Sequence, residues 1–218
     1  ENMYGTYFSN PLSDLIQNEN YSRSTQVYVN AFADIKLWKG LVFRTEYAAN
    51  YNYNTGYRFT PSYDYEFFKQ QSSASRSAGN GSNWTLKTYL TYNGTFGKHN
   101  VSVMAGHEAQ ENNWESLDGS RTNFLFNSVH ELNAGDATTA KANSSRGSSA
   151  IESYFGRLNY NFADRYLLTA TLRADGSSSF AKESRWGWFP SVALAWKVNN
   201  EAFLKDVEAI NSLKLRLG

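Results

Sequence analysis

His99, His107 and His130 are the residues best suited to hold a metal ion or shuttle a proton, and their spacing serves neither purpose. No two of them stand at a metal-ligand interval, and a chain with no cysteine has no thiolate to complete a zinc set or to act as a nucleophile. Serine is abundant but never sits in a G-x-S-x-G elbow. The stretch Gly94 to Lys98, GTFGK, has the wrong spacing to cradle phosphate. Glu108, Glu111 and Glu115 form a nominal carboxylate cluster, placed where a strand runs into a loop and read as solvated charge. The N-x-S/T triplets at Asn80 and Asn143 are chance matches in a chain this rich in Asn, Ser and Thr. These readings predict no catalytic residue, no metal, no cofactor and no enzyme.

What stands out instead is aromatic. Tyr63, Tyr65 and Phe67, followed by Phe68, lie in one polar stretch; Trp114 and Phe124, with Phe126, lie in another. Large rings in polar surroundings can stack on sugars or pack on a partner protein, and equally they can anchor loops. Tyr63, Tyr65, Phe67, Trp114 and Phe124 are therefore the candidate substrate or partner contacts.

The elements that carry these residues follow from hydrophobic period. The 218 residues are 16% aromatic and 19% charged, and 21 Lys and Arg balance 20 Asp and Glu, which gives no general attraction to nucleic acid. No run approaches about 18 apolar residues, so no transmembrane helix is expected, although a membrane β-barrel leaves only a weak signal per strand. Alternation is the dominant pattern. Val27, Val29, Ala31, Ala33, Ile35 and Leu37 take one parity and Gln26, Asn30, Asp34 and Lys36 the other, with Tyr28 and Phe32 as aromatic exceptions on the polar face. The same reading recurs at Leu41 to Tyr53, Trp84 to Phe96, Val101 to Gln110, Ser153 to Phe162, Tyr166 to Asp175 and Trp188 to Val198. A further strand begins near Leu213.

Connections alternate between tight turns at Trp38 to Gly40, Gly97 to Asn100 and Ala163 to Arg165 and long polar loops at Asn54 to Ser82, Glu111 to Ala150 and Gly176 to Gly187. Short turns at one end and long loops at the other are the habit of an outer-membrane barrel. Tyr160, Phe162 and Tyr166 mark one end of the apolar face and Tyr154 the other, which predicts two aromatic girdles about 20 Å apart along the membrane normal. Counting back from a Leu37/Leu41 pair sets Asp34 opposite Arg44, a cross-strand ion pair contributing about 0.2–1 kcal/mol. Unpaired sheet edges cannot remain in hydrocarbon, so the fold expected is all-β: an antiparallel transmembrane β-barrel segment of about 7–8 strands belonging to a larger barrel.

The block from Ser153 to Phe203 contains SYFGRLNY, DRYLLTATLRADGSSSF and RWGWFPS in that order. It closely resembles the C-terminal half of the barrel in SusC/RagA-type TonB-linked outer-membrane transporters. Asn10, Pro11 and Leu12, LVFRTEY from Leu41, and NSLKLRLG from Asn211 are similar to that family too. The resemblance implies a plugged 22-stranded barrel, of which residues 1–218 are part, with the plug domain and the final strands absent. It also implies TonB-dependent import of an oligosaccharide or peptide, a SusD-like surface lipoprotein, the TonB complex acting through the plug, outer-membrane lipid around the wall, no nucleic acid, and the outer membrane of a Gram-negative, Bacteroidetes-like cell. The competing readings are an outer-membrane barrel enzyme and a soluble carbohydrate-binding β module.

Overall fold

The computed structural model describes residues 18–65, 68–204 and 211–218; Asn10, Pro11, Leu12 and Phe67 lie outside the described residues. Its strands are β1 (Glu19–Trp38), β2 (Leu41–Thr60), β3 (Tyr63–Tyr65), β4 (Phe68–Gln70), β5 (Ser73–Phe96), β6 (His99–Thr122), β7 (Lys141–Phe162), β8 (Tyr166–Ser177), β9 (Trp186–Lys197) and β10 (Lys214–Leu217). Eight of them form one antiparallel sheet in the order β1-β2-β5-β6-β7-β8-β9-β10, and β3 and β4 make a separate small hairpin. Apart from that hairpin each strand bonds to its neighbour in sequence, the pairing that short turns favour. Contacts divide the chain into two compact units. A wall unit takes Tyr28–Asn50, Asn83–Asn112 and Ser148–Gly218; an extension unit takes Glu1–Val27, Tyr51–Ser82 and Asn113–Gly147.

In the wall unit, register converts the sequence alternation into two faces. Tyr154↔Ala174, Leu158↔Ala170, Tyr160↔Leu168 and Phe162↔Tyr166 pair across β7 and β8, and Ala174↔Trp188, Ala170↔Val192, Leu168↔Leu194 and Tyr166↔Trp196 continue the rows onto β9. Leu215↔Trp196 and Leu217↔Leu194 carry them to β10. On β7, β8 and β9 these residues are all even-numbered, their β10 partners are odd-numbered, and the intervening rows hold Arg157↔Thr171↔Ser191 and Asn159↔Thr169↔Ala193. The apolar rows are not buried under protein: Val29 is 51% and Ile35 49% exposed, as is Val27 of the extension unit at 52%. A water-soluble sandwich would cover such a row with a second layer.

Turns lace one margin of the wall. Gly40 has a φ of +82°, where a side chain would be strained and where a Cβ would strike the Asn93 carbonyl; Asn93 N donates to Gly40 O at 2.8 Å. Ala163 and Asp164 are both left-handed, with φ of 52° and 54°. That strain is offset by a knot of contacts: Ala163 N donates to Lys98 O (2.7 Å), Lys197 N to Arg165 O (2.8 Å), and the Asp164 carboxylate accepts from Lys197 Nζ (2.5 Å), Asn161 Nδ2 (3.2 Å) and Asn200 Nδ2 (3.1 Å). These donors hold the Asp164 carboxyl below its ordinary value, Lys197 foremost.

Pro190 lies within β9, opposite Leu172. The bonds Lys197 N to Arg165 O and Ser177 N to Arg185 O set the hydrogen-bonding phase of the β8–β9 ladder. By that phase Leu172↔Pro190 is a non-hydrogen-bonded pair, so the nitrogen that lacks a hydrogen points away from β8 and costs this ladder nothing.

The long loops differ from expectation. β2 continues to Thr60, β5 starts at Ser73, β6 runs to Thr122 and β7 starts at Lys141, so strands of 20, 24, 24 and 22 residues replace segments of about 10–14. In the extension unit the backbone ladder persists with Asn, Ser and Gly at either parity, which leaves no alternation to read. Side chains add local ties within the extension unit, such as Asn80 to Glu115 (2.5 Å) and Ser116 to Ser145 (2.8 Å). Val198, expected to extend β9, is buried in a 3₁₀ turn over Val198–Asn200.

Candidate functional site

The extension unit has an aromatic core of its own. Tyr57, Phe59, Ala74 and Phe124 are buried together, with Leu132 and Ala134 packed on them. Phe59 meets Phe124 edge-on (5.5 Å between centroids) and stacks on the His130 ring (3.9 Å, 23°). Residues 123–140 are thereby folded onto the strands. Buried Ser72 pins them: its Oγ accepts from Phe124 N (2.8 Å) and its carbonyl from Asn123 N (3.0 Å). Asn127 completes the attachment by accepting from Ser62 N and donating to Ser62 O, both at 2.9 Å. Within the segment, the Asp136 carboxylate accepts from the N and Oγ of Thr138, and these bonds hold its carboxyl below the ordinary value.

Beside this core is a groove lined by Tyr21, Arg23, Tyr57, Arg76, Asp118 and Leu132. The Arg76 guanidinium lies over the Tyr57 ring (4.5 Å) and pairs with Glu131 (2.9 Å), and Tyr21 packs on Tyr57 (5.0 Å). Burial pushes the Tyr57 phenol up. Aromatic faces beside a fixed cation suit stacking and hydrogen bonding, not bond-breaking. Among the described residues no three His, Cys, Asp or Glu are grouped to hold a metal ion.

The five sequence candidates fare differently. Tyr63 is half-buried on β3, where it pairs with Gln70. Tyr65 is on the same strand by its backbone, and Phe67 lies outside the described residues. Trp114 is on β6, 47% exposed, its indole resting on Gly147, where a Cβ would meet it at 2.8 Å. Phe124 is 6% exposed and anchors residues 123–140, so the expectation that its ring meets a ligand is corrected: its apolar area is already spent on Phe59.

Sequence reasoning missed a charged row on the polar face of the wall unit. Asp34 pairs with Arg44 (3.4 Å), as the hairpin count predicted, and Arg44 also pairs with Glu46 while lying over the Phe32 ring (4.7 Å). That contact accounts for an aromatic on the polar side. Tyr89 donates to Glu46 (3.3 Å). Farther along, Glu108 is only 16% exposed between Lys87 (2.9 Å) and Arg173 (3.5 Å). Arg173 also holds Asp175 (2.6 Å) and buried Ser153 (3.0 Å). Glu108 is therefore not a solvated carboxylate at a loop. Glu111 and Glu115 likewise lie on β6, accepting from Trp84 Nε1 (3.2 Å) and Asn80. Charge on the polar parity of adjacent strands was the available signal, but it needed register across β5, β6 and β8.

On the opposite face, rings line up in two chains. His107, Tyr154 and Trp186 follow one another at 4.9 and 5.9 Å, and His99, Phe162, Tyr166 and Trp196 at 4.8, 6.4 and 6.4 Å. Gly176, paired with Trp186, has no side chain because the indole covers it; a Cβ would sit 2.9 Å from the ring. Tyr154 to Phe162 spans about 26 Å of strand, or about 20 Å along the normal at the usual tilt. These are the two expected girdles.

An apolar band bounded by aromatic girdles, backed by a charged polar face in one antiparallel sheet, defines a transmembrane β-barrel wall. The family described as TonB dependent receptor-like, beta-barrel, matches residues 2–216, and the chain belongs to it. It is 33% identical over 225 residues to TonB-dependent receptor P3 of Formosa agariphila, covering 99% of this chain and 22% of that protein. It is 40% identical over 139 residues to TonB-dependent receptor SusC of Bacteroides thetaiotaomicron, covering 62% of this chain and 13% of that protein. The chain thus spans about a fifth or less of these relatives. Its fold matches the structure of the RagAB peptide transporter with a TM-score of 0.89 at 22% identity, over 99% of this chain and 24% of that one.

Proposed function

We propose that the complete protein imports a bulky nutrient, an oligosaccharide or a peptide, across the outer membrane of a Bacteroidetes-like cell, driven by TonB through a plug domain. These residues supply barrel wall and outer surface. The observation that carries the reading is the two-faced wall: an uncovered apolar face bounded by girdles, and a polar face whose charges are held in a fixed row from Asp34 to Asp175. A passage for a large polar solute needs such a wet, anchored lining. The likeness to the RagAB peptide transporter supports the peptide class, and the motifs from Ser153 to Phe203 that resemble SusC/RagA-type transporters carry the oligosaccharide class and the SusD-like lipoprotein partner.

Tyr63, Tyr65, Phe67 and Trp114 are the proposed contacts with solute or lipoprotein. A deletion strain grown on single glycans or on peptides as the sole nutrient tests the reading. Growth should fail on one solute class and return with the wild-type gene, whereas Trp114→Ala should restore it only partly. Equal growth of deletion and parent on every glycan and peptide tried would refute import.

A further inference from the structure

On the outward face of the wall unit, just below the upper girdle, the sheet has a gap. Its floor is Ala105, Gly156 and Ala174, and its walls are Tyr154, Trp186 and Trp188. Three small residues on adjacent strands leave a groove that apolar rings border. Gly156 has open space where a side chain would go, the nearest atom to a Cβ being Met104 O at 3.8 Å. Trp186 also walls a second pocket, where Trp84, Glu111, Glu152, Ser178 and Arg185 meet. An apolar groove therefore continues into a polar pocket at the level where a membrane's hydrocarbon gives way to headgroups.

The polar pocket carries both signs. The Arg185 Nε donates to Phe180 O (3.1 Å), and no carboxylate pairs with its guanidinium among the described residues. The Ser178 Oγ accepts from Ala150 N (2.8 Å), which leaves its own hydrogen to donate. Glu152 accepts from the Tyr154 hydroxyl (2.8 Å) and lies 3.1 Å from His107 Nε2, so its carboxylate is oriented while remaining half-exposed. A cation and hydroxyl beside two oriented carboxylates match a phosphate joined to an amine and repel a headgroup that is anionic alone.

We propose that this face holds one outer-leaflet lipid bearing a phosphoethanolamine headgroup: an acyl chain lies in the groove over Gly156, the phosphate meets Arg185 and Ser178, and the ammonium meets Glu111 and Glu152. The inference rests on the outer-membrane barrel reading but not on import, so a failed growth test leaves it standing.

Native mass spectrometry of the complete, delipidated protein in detergent tests it, with phosphatidylethanolamine and phosphatidylglycerol of identical chains as probes. The wild type should retain the ethanolamine lipid about tenfold more strongly. Gly156→Leu, which fills the groove, should lower retention of both lipids. The Glu111→Gln, Glu152→Gln double variant should bring the two lipids to equal retention. Folding is checked by heat-modifiable migration. Equal retention of both lipids by the wild type would overturn the proposal, as would a folded Gly156→Leu protein that keeps its lipid. Should Gly156→Leu fail to fold, the double variant decides: an unchanged preference overturns the headgroup assignment.

Discussion

The wall and extension units are built from the same strands under different solvents. In the wall unit the two faces meet different media, so Tyr154, Leu158 and Phe162 must differ in kind from Arg157 and Asn159, and the period of two is plain. In the extension unit one part of the strand surface is covered by the chain itself, around Phe59 and Phe124, and the period of two is lost. There the same ladder tolerates Asn, Ser and Gly at any parity, and its apolar residues must be covered by protein, which residues 123–140 do through Phe124. Alternation thus reports the contrast between two media more than it reports strand structure itself. A strand without that contrast reads as a loop.

The contrast can be tested by perturbing each unit in turn. The largest effect is expected at Phe124→Ala, where losing a buried ring costs about 3–5 kcal/mol. Because that core is confined to the extension unit, limited proteolysis should open residues 123–140 while the heat-modifiable band of the barrel persists. Loss of that band as well would show the two units to be energetically one. Next is Val192→Lys, midway between the girdles, expected to cost about 2–4 kcal/mol in denaturant titrations of the barrel in micelles. Ser144→Lys in the extension unit should stay within about 0.5 kcal/mol in the same assay; similar costs at both sites would erase the distinction.

Within the wall, Glu108→Leu strands Lys87 in a half-buried row, while Arg173 keeps Asp175, and should cost about 1–3 kcal/mol. Leu substituted at both Glu108 and Lys87 should recover part of it. The smallest effect is a pH dependence at the Asp164 turn. A carboxyl held below its ordinary value contributes stability that is complete above about pH 3.8 and lost as pH falls through the lowered folded value. Asp164→Asn should therefore lose less stability on acidification than the wild type; equal losses would remove Asp164 from the acid response.

How much of this was legible beforehand follows from the same physics. The apolar rows, both girdles and the Asp34–Arg44 pair were readable because each depends on parity within a strand or across one tight turn. The Lys87–Glu108–Arg173 row was not, because it requires register between strands whose outer ends carry no period. Phe124 and Trp114 looked alike in sequence, as large rings in polar company. Only the fold distinguishes the one that packs on Phe59 from the one that lies open on Gly147. Pro190 sits inside a strand because the rule that keeps proline at strand ends yields where its nitrogen faces away from the neighbouring strand.

The lacing of the turn margin has a mechanical consequence. Bonds tie each turn to a neighbouring strand or turn, Gly40 to Asn93 on β5, Lys98 to Ala163 and Arg165 to Lys197 at the end of β9, so that margin resists shear as a hem resists fraying. Any spreading of adjacent strands is resisted most at these stitches, and deformation of the wall is borne mainly by the strand ends that lack them.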